Sequence, residues 1–257
     1  MGVKQQKPYL LKETNWKTVK EINYKIAVLP WGATEAHNYH LPYGTDIYES
    51  EFIAEAAAKL AWEKGIKIVV LPAIPYGVNT QQLDINMTIN INPSTQAKVL
   101  SDIIESLEKY GIEKLIILNG HGGNDFKCMI REFQKDTKIF LSVVSWFAIG
   151  NHDDFFENNG EHADELETSF MLYAFPELVL PLEVAGNGKA KTFKPTGFKE
   201  GWAWAPRKWT KVTEDTGIGN PKSATFEKGK KYVDYIVKKI SQHFIELSST
   251  ALNDMYE

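Results

Sequence analysis

The sequence predicts an α/β fold in which helices cover both faces of a mostly parallel sheet. Three observations carry that reading. Apolar runs alternate with longer helical patterns from Tyr24 to Ser145. The runs are nearly continuous in apolar residues, as strands buried on both faces require. The 257-residue chain is 43% hydrophobic and 24% charged, a globular mix long enough for one sizeable core. In order, residues 24–30 form a β-like run that Pro30-Trp31-Gly32 ends. Residues 47–64 carry an apolar helical stripe of Ile47, Phe52, Ile53, Ala56, Ala57 and Leu60. A second strand over 67–71 stops at Pro72. Pro93 opens a helix that runs to a glycine stop at Gly111. Strands over 115–118 and 139–145 flank a helix over 125–134. A last amphipathic helix spans 226–247.

The composition excludes several classes. Lys plus Arg number 29 against 33 for Asp plus Glu, a net charge of −4 with no basic stripe, which argues against a nucleic-acid partner. No run of eighteen apolar residues is present, so no membrane span is expected. Met1 to Lys7 is polar and lacks a signal-peptide core. The single cysteine, Cys128, rules out an internal disulfide and fits a reducing cytoplasm. A soluble cytoplasmic enzyme is the simplest remaining class, read as one domain over 1–257. Residues 182–221 break the pattern. They are irregular and carry Trp202, Trp204 and Trp209, too much apolar surface for a linker. We read them as a surface loop folding over a site or over a subunit neighbour.

Polar clusters fall where the predicted strands end, the place where open α/β sheets bind ligands. After the first strand come Glu35 and His37, two residues apart and so on one side of an extended backbone, and then Asp46 at the next helix's start. Alone, each reads equally as a solvated, turn or capping residue; together they form a carboxylate–imidazole set suited to a divalent metal. After the third strand, Asn119-Gly120-His121-Gly122-Gly123-Asn124 sets a histidine in a glycine turn that lets backbone approach a ligand. The turn matches neither phosphate-binding glycine spacing. The third cluster, Glu161-His162-Ala163-Asp164-Glu165-Leu166-Glu167, is read as helical. His162 and Glu161 would then both neighbour Glu165, and so dense an acidic turn calls for a positive partner. An acidic first turn favoured by the helix dipole is the alternative. Tyr76 to Gln82 is neutral and polar, either a plain loop or a source of substrate hydrogen bonds.

These stretches, in this order, resemble the creatininase (creatinine amidohydrolase) family over residues 20–180. The resemblance rests on Gly32-Ala33-Thr34-Glu35-Ala36-His37 through His40-Leu41-Pro42 to Gly44-Thr45-Asp46, then 119–124, then Glu161-His162 through Glu167-Thr168-Ser169. It implies a three-layer α/β/α sandwich with a two-metal site in zinc, manganese or iron, and a homo-oligomer, commonly a hexamer. By position it implies that Glu35, Asp46 and His121 hold one ion, with Asp46 bridging to a second on His37. Creatininase's remaining glutamate follows the glycine-turn histidine, where this chain has Gly122-Gly123, so Glu165 is expected to complete the second site.

The implied chemistry is hydrolysis of a non-peptide or cyclic C–N amide bond in a small molecule by metal-activated water. His162 is the expected proton carrier, and Glu161 or Glu167 the group that orients it. Gly122, Asn124, Tyr76 and Trp146 are the candidate substrate contacts. The family's Glu-Gln-His-Gly-Pro-His becomes Glu35-Ala36-His37-Asn38-Tyr39-His40, and its later Pro-Gly-Thr turn becomes Met87-Thr88-Ile89-Asn90. Phe147, beside Trp146, stands where creatininase places a substrate-covering tryptophan. All three changes are read as substrate-facing, which argues against creatinine itself. Two other readings compete: a non-catalytic metal- or ligand-binding protein on this fold, and a dimetal phosphoester hydrolase. The motifs supply no Arg or Lys for a phosphate.

Overall fold

The computed structural model describes residues 7–257. Residues 1–6, most of the stretch read as lacking a signal core, lie outside the described residues. Four strands, β1 (Ile26–Trp31), β2 (Ile68–Val70), β3 (Lys114–Asn119) and β4 (Phe140–Ser145), pair all-parallel in the order β2-β1-β3-β4. The longer helices are α1 (Thr45–Glu63), α2 (Pro93–Lys109), α3 (Phe126–Phe133), α4 (Glu165–Ala174) and α5 (Phe226–Ser249), and single turns of helix lie at Trp16–Val19, Thr196–Lys199 and Trp209–Val212. Alternate strand residues sort into two cores, because successive side chains leave opposite faces of a sheet. Ile26, Val28, Ile116 and Leu118 pack with α1, α4 and α5. Ala27, Leu29, Trp31, Leu115 and Ile117 pack with α2 and α3. The result is the expected three-layer arrangement with an all-parallel sheet.

The strand order fixes where a ligand can enter. The chain passes from β1 through α1 to β2, then returns by α2 on the other face to β3, on β1's far side. Order therefore reverses between β1 and β3, which pair from Ile26↔Lys114 to Trp31↔Asn119. The crevice beyond their carboxyl ends is the binding place in folds of this kind. Two glycines let α1 start directly over that crevice. A Cβ on Gly32 would lie 2.7 Å from the Ile47 nitrogen, and one on Gly120 would lie 2.7 Å from the Asp46 carbonyl oxygen. The first turn of α1 is thereby pressed between the ends of β1 and β3, with Asp46 buried. This polar turn precedes the apolar stripe, so the observed helix begins at Thr45 rather than at residue 47.

Residues 182–221 fold back onto their own chain. Short bridges join Ala190 to Thr213 and Ile218 to His162. Asp215 is buried and accepts from the Gly188 N–H at 2.9 Å, the Gly217 N–H at 3.0 Å and the Thr213 hydroxyl at 2.9 Å. No described helix is long and apolar enough to cross a membrane.

A Gly120→Ala variant is expected to lose about 1–3 kcal/mol, because the new methyl has no room against the Asp46 carbonyl. Gly122→Ala, whose Cβ would meet nothing within 4 Å, should change stability by less than about 0.5 kcal/mol. Thermal denaturation of the two variants side by side checks this.

Candidate metal centre and active site

The side chains gathered at the switch point are three carboxylates and three imidazoles. Glu35 and His37 come from the turn after β1, Asp46 from the first turn of α1, and His121 from the glycine turn after β3. His162 and Glu167 come from the start of α4 and the residues before it. His37 Nε2 lies 2.9 Å from Asp46 Oδ1. His121 Nδ1 lies 2.9 Å from Glu35 Oε1 and 3.0 Å from Asp46 Oδ2. His37 Nε2 is also 3.9 Å from Glu167 Oε2, and His162 Nδ1 is 3.8 Å from Glu35 Oε1. Asp46 thus offers one oxygen to each side of the cluster.

The three rings share one design. The outer nitrogen of each donates to a backbone carbonyl: His37 Nδ1 to Glu35 at 3.1 Å, His121 Nε2 to Val78 at 3.1 Å, and His162 Nε2 to Ala36 at 2.8 Å. That fixes the tautomer and turns the second nitrogen toward the carboxylates, as metal-binding histidines require. Burial pushes His37 down, but Asp46, with Glu167 and Glu35 nearby, outweighs it and lifts the ring to about 10. Burial also opposes the charged form of His121, and Glu35 and Asp46 raise it well above the usual value. Burial raises the Asp46 carboxyl, yet His37 and His121 hold it far below the carboxylate range. Protons on His37 and His121 therefore occupy positions that divalent cations could fill. Asp46 Oδ2 supports the same substitution, being buried with no hydrogen bond although His121 lies close. The donors group as Glu35, Asp46 and His121 and as His37, Asp46 and Glu167, with ligand atoms within 4.8 Å of one another in each. Glu35, His37 and His162 form a third such group.

The helix motif departs from expectation. Residues 161–164 are not helical: His162 bridges to Ile218, and Ala163 adopts φ +48°. Asp164 caps α4 by accepting the Glu167 N–H at 3.1 Å, so Glu165 is the first helical residue. Two residues along a helix turn about 200°, so Glu165 and Glu167 face opposite ways. Glu165 does not reach the cluster. It is fully buried and accepts from Lys228 Nζ at 2.5 Å, the Asn158 N–H at 2.8 Å and Asn158 Nδ2 at 3.0 Å. Glu167 stands beside His37 instead. Glu161 does not orient His162 either, because its carboxylate is 60% exposed and pairs with Arg207 at 2.7 Å. The ring is oriented by the Ala36 carbonyl.

A cavity of about 1100 Å³ opens over the cluster. Gly122 and Asn124 line it, although Asn124 also scaffolds the turn by donating to Asn119 at 3.1 Å and accepting from the Val78 N–H at 3.1 Å. Trp146 is not a substrate contact. It is fully buried against Phe170 and Tyr232, and the helical turn after β4 brings Phe147 to the cavity instead. Tyr76 lies outside the cavity lining, its side chain exposed and its carbonyl accepting the Trp31 indole N–H at 2.9 Å. The changed pair Asn38-Tyr39 anchors the 182–221 segment rather than facing the site: the Gly186 N–H donates to Asn38 Oδ1 at 2.8 Å, and the Tyr39 hydroxyl to the Glu214 carbonyl at 3.2 Å. Other site residues escaped the motif reading. Gln82 donates its amide to Glu35 Oε2. The Trp209 ring stands edge-on to His162 with centroids 5.5 Å apart. Glu49, one turn after Asp46, is buried with both oxygens free of hydrogen bonds, and burial together with Glu167 and Asp46 pushes its carboxyl well up. Its place three residues from Asp46 on the same helix face was the available signal.

The family model described as creatininase (creatinine amidohydrolase) matches residues 12–244. This chain belongs to the creatininase family. Creatinine amidohydrolase of Pseudomonas putida is 25% identical over 246 residues, covering 84% of this chain and 87% of that protein. The mycofactocin precursor peptide peptidase of Mycobacterium ulcerans is 25% identical over 226 residues, covering 84% of each. A solved structure from Bacteroides fragilis, a candidate creatinine amidohydrolase, matches with TM-score 0.91 at 42% identity over 98% of this chain and all of that one. A manganese creatininase structure matches with TM-score 0.80 at 22% identity, over 95% of this chain and 100% of that one, and shows the common fold. Creatininase-family enzymes are amidohydrolases acting on carbon–nitrogen bonds, and this chain carries buried groups of carboxylates and imidazoles that could hold a metal ion.

Glu165→Ala should destabilise by about 1–3 kcal/mol, since it leaves two backbone donors without their acceptor and removes one of the partners of Lys228, while Mn²⁺ affinity is unchanged. Glu167→Ala should instead weaken Mn²⁺ binding by at least about 10- to 100-fold with a smaller effect on stability. Calorimetric titration and thermal melts separate the two. Burial raises the Glu165 carboxyl, but Lys228 and Asn158 outweigh it and hold it below its usual 4.5. The stability it contributes is therefore present above pH 4.5 and lost as pH falls through the lowered folded value. Glu165→Gln should flatten that acid limb of the stability curve.

Proposed function

We propose that this enzyme hydrolyses a non-peptide or cyclic C–N amide bond of a small molecule, with two divalent ions (Zn, Mn or Fe) per chain. One ion would be held by Glu35, Asp46 and His121, the other by His37, Asp46 and Glu167. The observation that carries the reading is the pair of buried donor groups sharing Asp46, with each imidazole already turned inward by a carbonyl. The residues fit such ions: mixed imidazole and carboxylate donors, and a buried Asp46 oxygen without a hydrogen bond. The lone Cys128 supports a cytoplasmic setting, and the family resemblance supports a homo-oligomer, commonly a hexamer.

Bound there, the ions would supply the Lewis acidity that activates a water and polarises the amide carbonyl. The chain's own residues do the rest. Gln82 engages Glu35 Oε2, which leaves Oε1 for the cluster. His162 keeps its proton on Nε2 against Ala36, so Nδ1 presents a lone pair to the cavity. In the metal-free protein, burial and the charge on His37 hold this imidazole down to about 4, a neutral acceptor at pH 7. Nδ1 would take the proton of the attacking water and return it to the leaving nitrogen. Trp209 packs against the ring and shields it from bulk water. Phe147 on the cavity wall, where creatininase carries a tryptophan, supports a substrate other than creatinine.

The test is turnover of formamides and lactams by Mn²⁺- or Zn²⁺-loaded protein. His162→Ala should bind metal as the wild type does and lose about 10²- to 10⁴-fold in kcat. Unchanged kcat in that variant would remove its proton-transfer role. Hydrolysis of p-nitrophenyl phosphate in place of amides would establish the phosphoester reading. Full metal binding with no turnover of any probe would establish the binding-protein reading.

A further inference from the structure

Arg207 is a cavity residue that the metal chemistry does not use. It reaches the cavity from the 182–221 segment, and its Nη1 lies 2.7 Å from Glu161 Oε2 at the solvent edge, with 35% and 60% of the two side chains exposed. The guanidinium rests on the Trp209 ring at 5.0 Å from its centroid. Trp209 is itself buried, its indole N–H bonded to the Thr216 carbonyl at 2.9 Å, and its ring meets His162 at 5.5 Å. Two successive ring contacts therefore tie the cation to the imidazole. Arg207 can lie no farther from His162 than the sum of those separations.

We propose that Arg207 is the subsite for a carboxylate carried by the substrate, so that the enzyme acts on amides bearing an acid group a few bonds from the scissile C–N bond. The inference rests on the amidohydrolase reading and names the substrate class for it. A guanidinium presents five N–H donors in a planar fork that matches a carboxylate, and this one is packed over the Trp209 ring. Glu161 shows the geometry a carboxylate takes there. Because Glu161 is exposed and its pair with Arg207 lies at the solvent edge, exchange for a ligand's carboxylate carries a modest penalty. Lys127 also lines the cavity and adds a second positive charge. The volume of about 1100 Å³ accommodates a ligand that spans from the cluster to this edge.

Binding of hydroxamates tests this without requiring turnover. The probes are the ω-carboxy hydroxamates from succinic to adipic monohydroxamic acid, each against its methyl-terminated counterpart, titrated into Mn²⁺-loaded protein by calorimetry. At one chain length or more, the carboxylate probe should bind about 10- to 100-fold more tightly than its counterpart. Arg207→Gln should erase that preference and leave the methyl-terminated probe at its wild-type affinity, which also shows the variant folded. Glu161→Gln should strengthen the carboxylate probe by freeing the guanidinium. Equal affinity for both members at every length, or a preference that survives Arg207→Gln, would overturn the inference alone. Failure of every hydroxamate to bind would overturn the metal-centre reading and the inference with it.

Discussion

Burial of Asp46 between two imidazoles is the constraint on which the rest of the site depends. A carboxylate removed from water is costly unless it is paired, and Asp46 is paired on both oxygens, with His37 at 2.9 Å and His121 at 3.0 Å. Glu35 and Glu167 bring two more carboxyl groups to the same place, and burial pushes the Glu167 carboxyl up to about 8. Protons on His37 and His121 balance this cluster, and divalent cations could do so in their stead, releasing those protons. The backbone is built around the need. Gly32 and Gly120 give α1 room to deliver Asp46 between β1 and β3, and three carbonyls hold three rings in register.

The outer layer of the site comes from parts of the chain with no regular period. The segment from 182 to 221 is held down by Asp215 and by Asn38, and it delivers Trp209 against His162 and Arg207 to the cavity edge. The segment folds over its own site, one of the two roles its tryptophans suggested. Trp204 also lines the cavity although it is 85% exposed. The candidate donors thus come from turns at the strand ends and from the first turns of two helices, and the cavity edge comes from a loop, where sequence can change without disturbing them.

The sheet, its helices and the meeting of Glu35, His37, Asp46 and His121 were legible because each rests on a local signal. Strand ends, a glycine turn and a helix start are short-range features, and Glu35, His37, Asp46 and His121 sit on them. A continuous helix over 161–167 makes Glu165 the neighbour of His162, but the helix starts only at Glu165 and turns that side chain away. The Asp164-x-x-Glu167 spacing carried the opposite message: an N-cap at Asp164 delays the helix and rotates Glu167 inward. Trp146 and Tyr76 failed for another reason. One residue of register separates a core tryptophan from the cavity-lining Phe147, and alternation at a strand end is not resolved by composition. Gln82, Arg207 and Trp209 meet the motifs only through tertiary contacts, at separations no period records.

Whether one buried carboxylate joins two cation sites is read by titrating metal-free protein with Mn²⁺ and recording electron paramagnetic resonance. Saturation at two ions per chain is expected, with the spectrum of a spin-coupled pair once the second ion is bound, if Asp46 joins the two sites. Saturation at one ion per chain, or two ions giving only the six-line signal of isolated Mn²⁺, would contradict it.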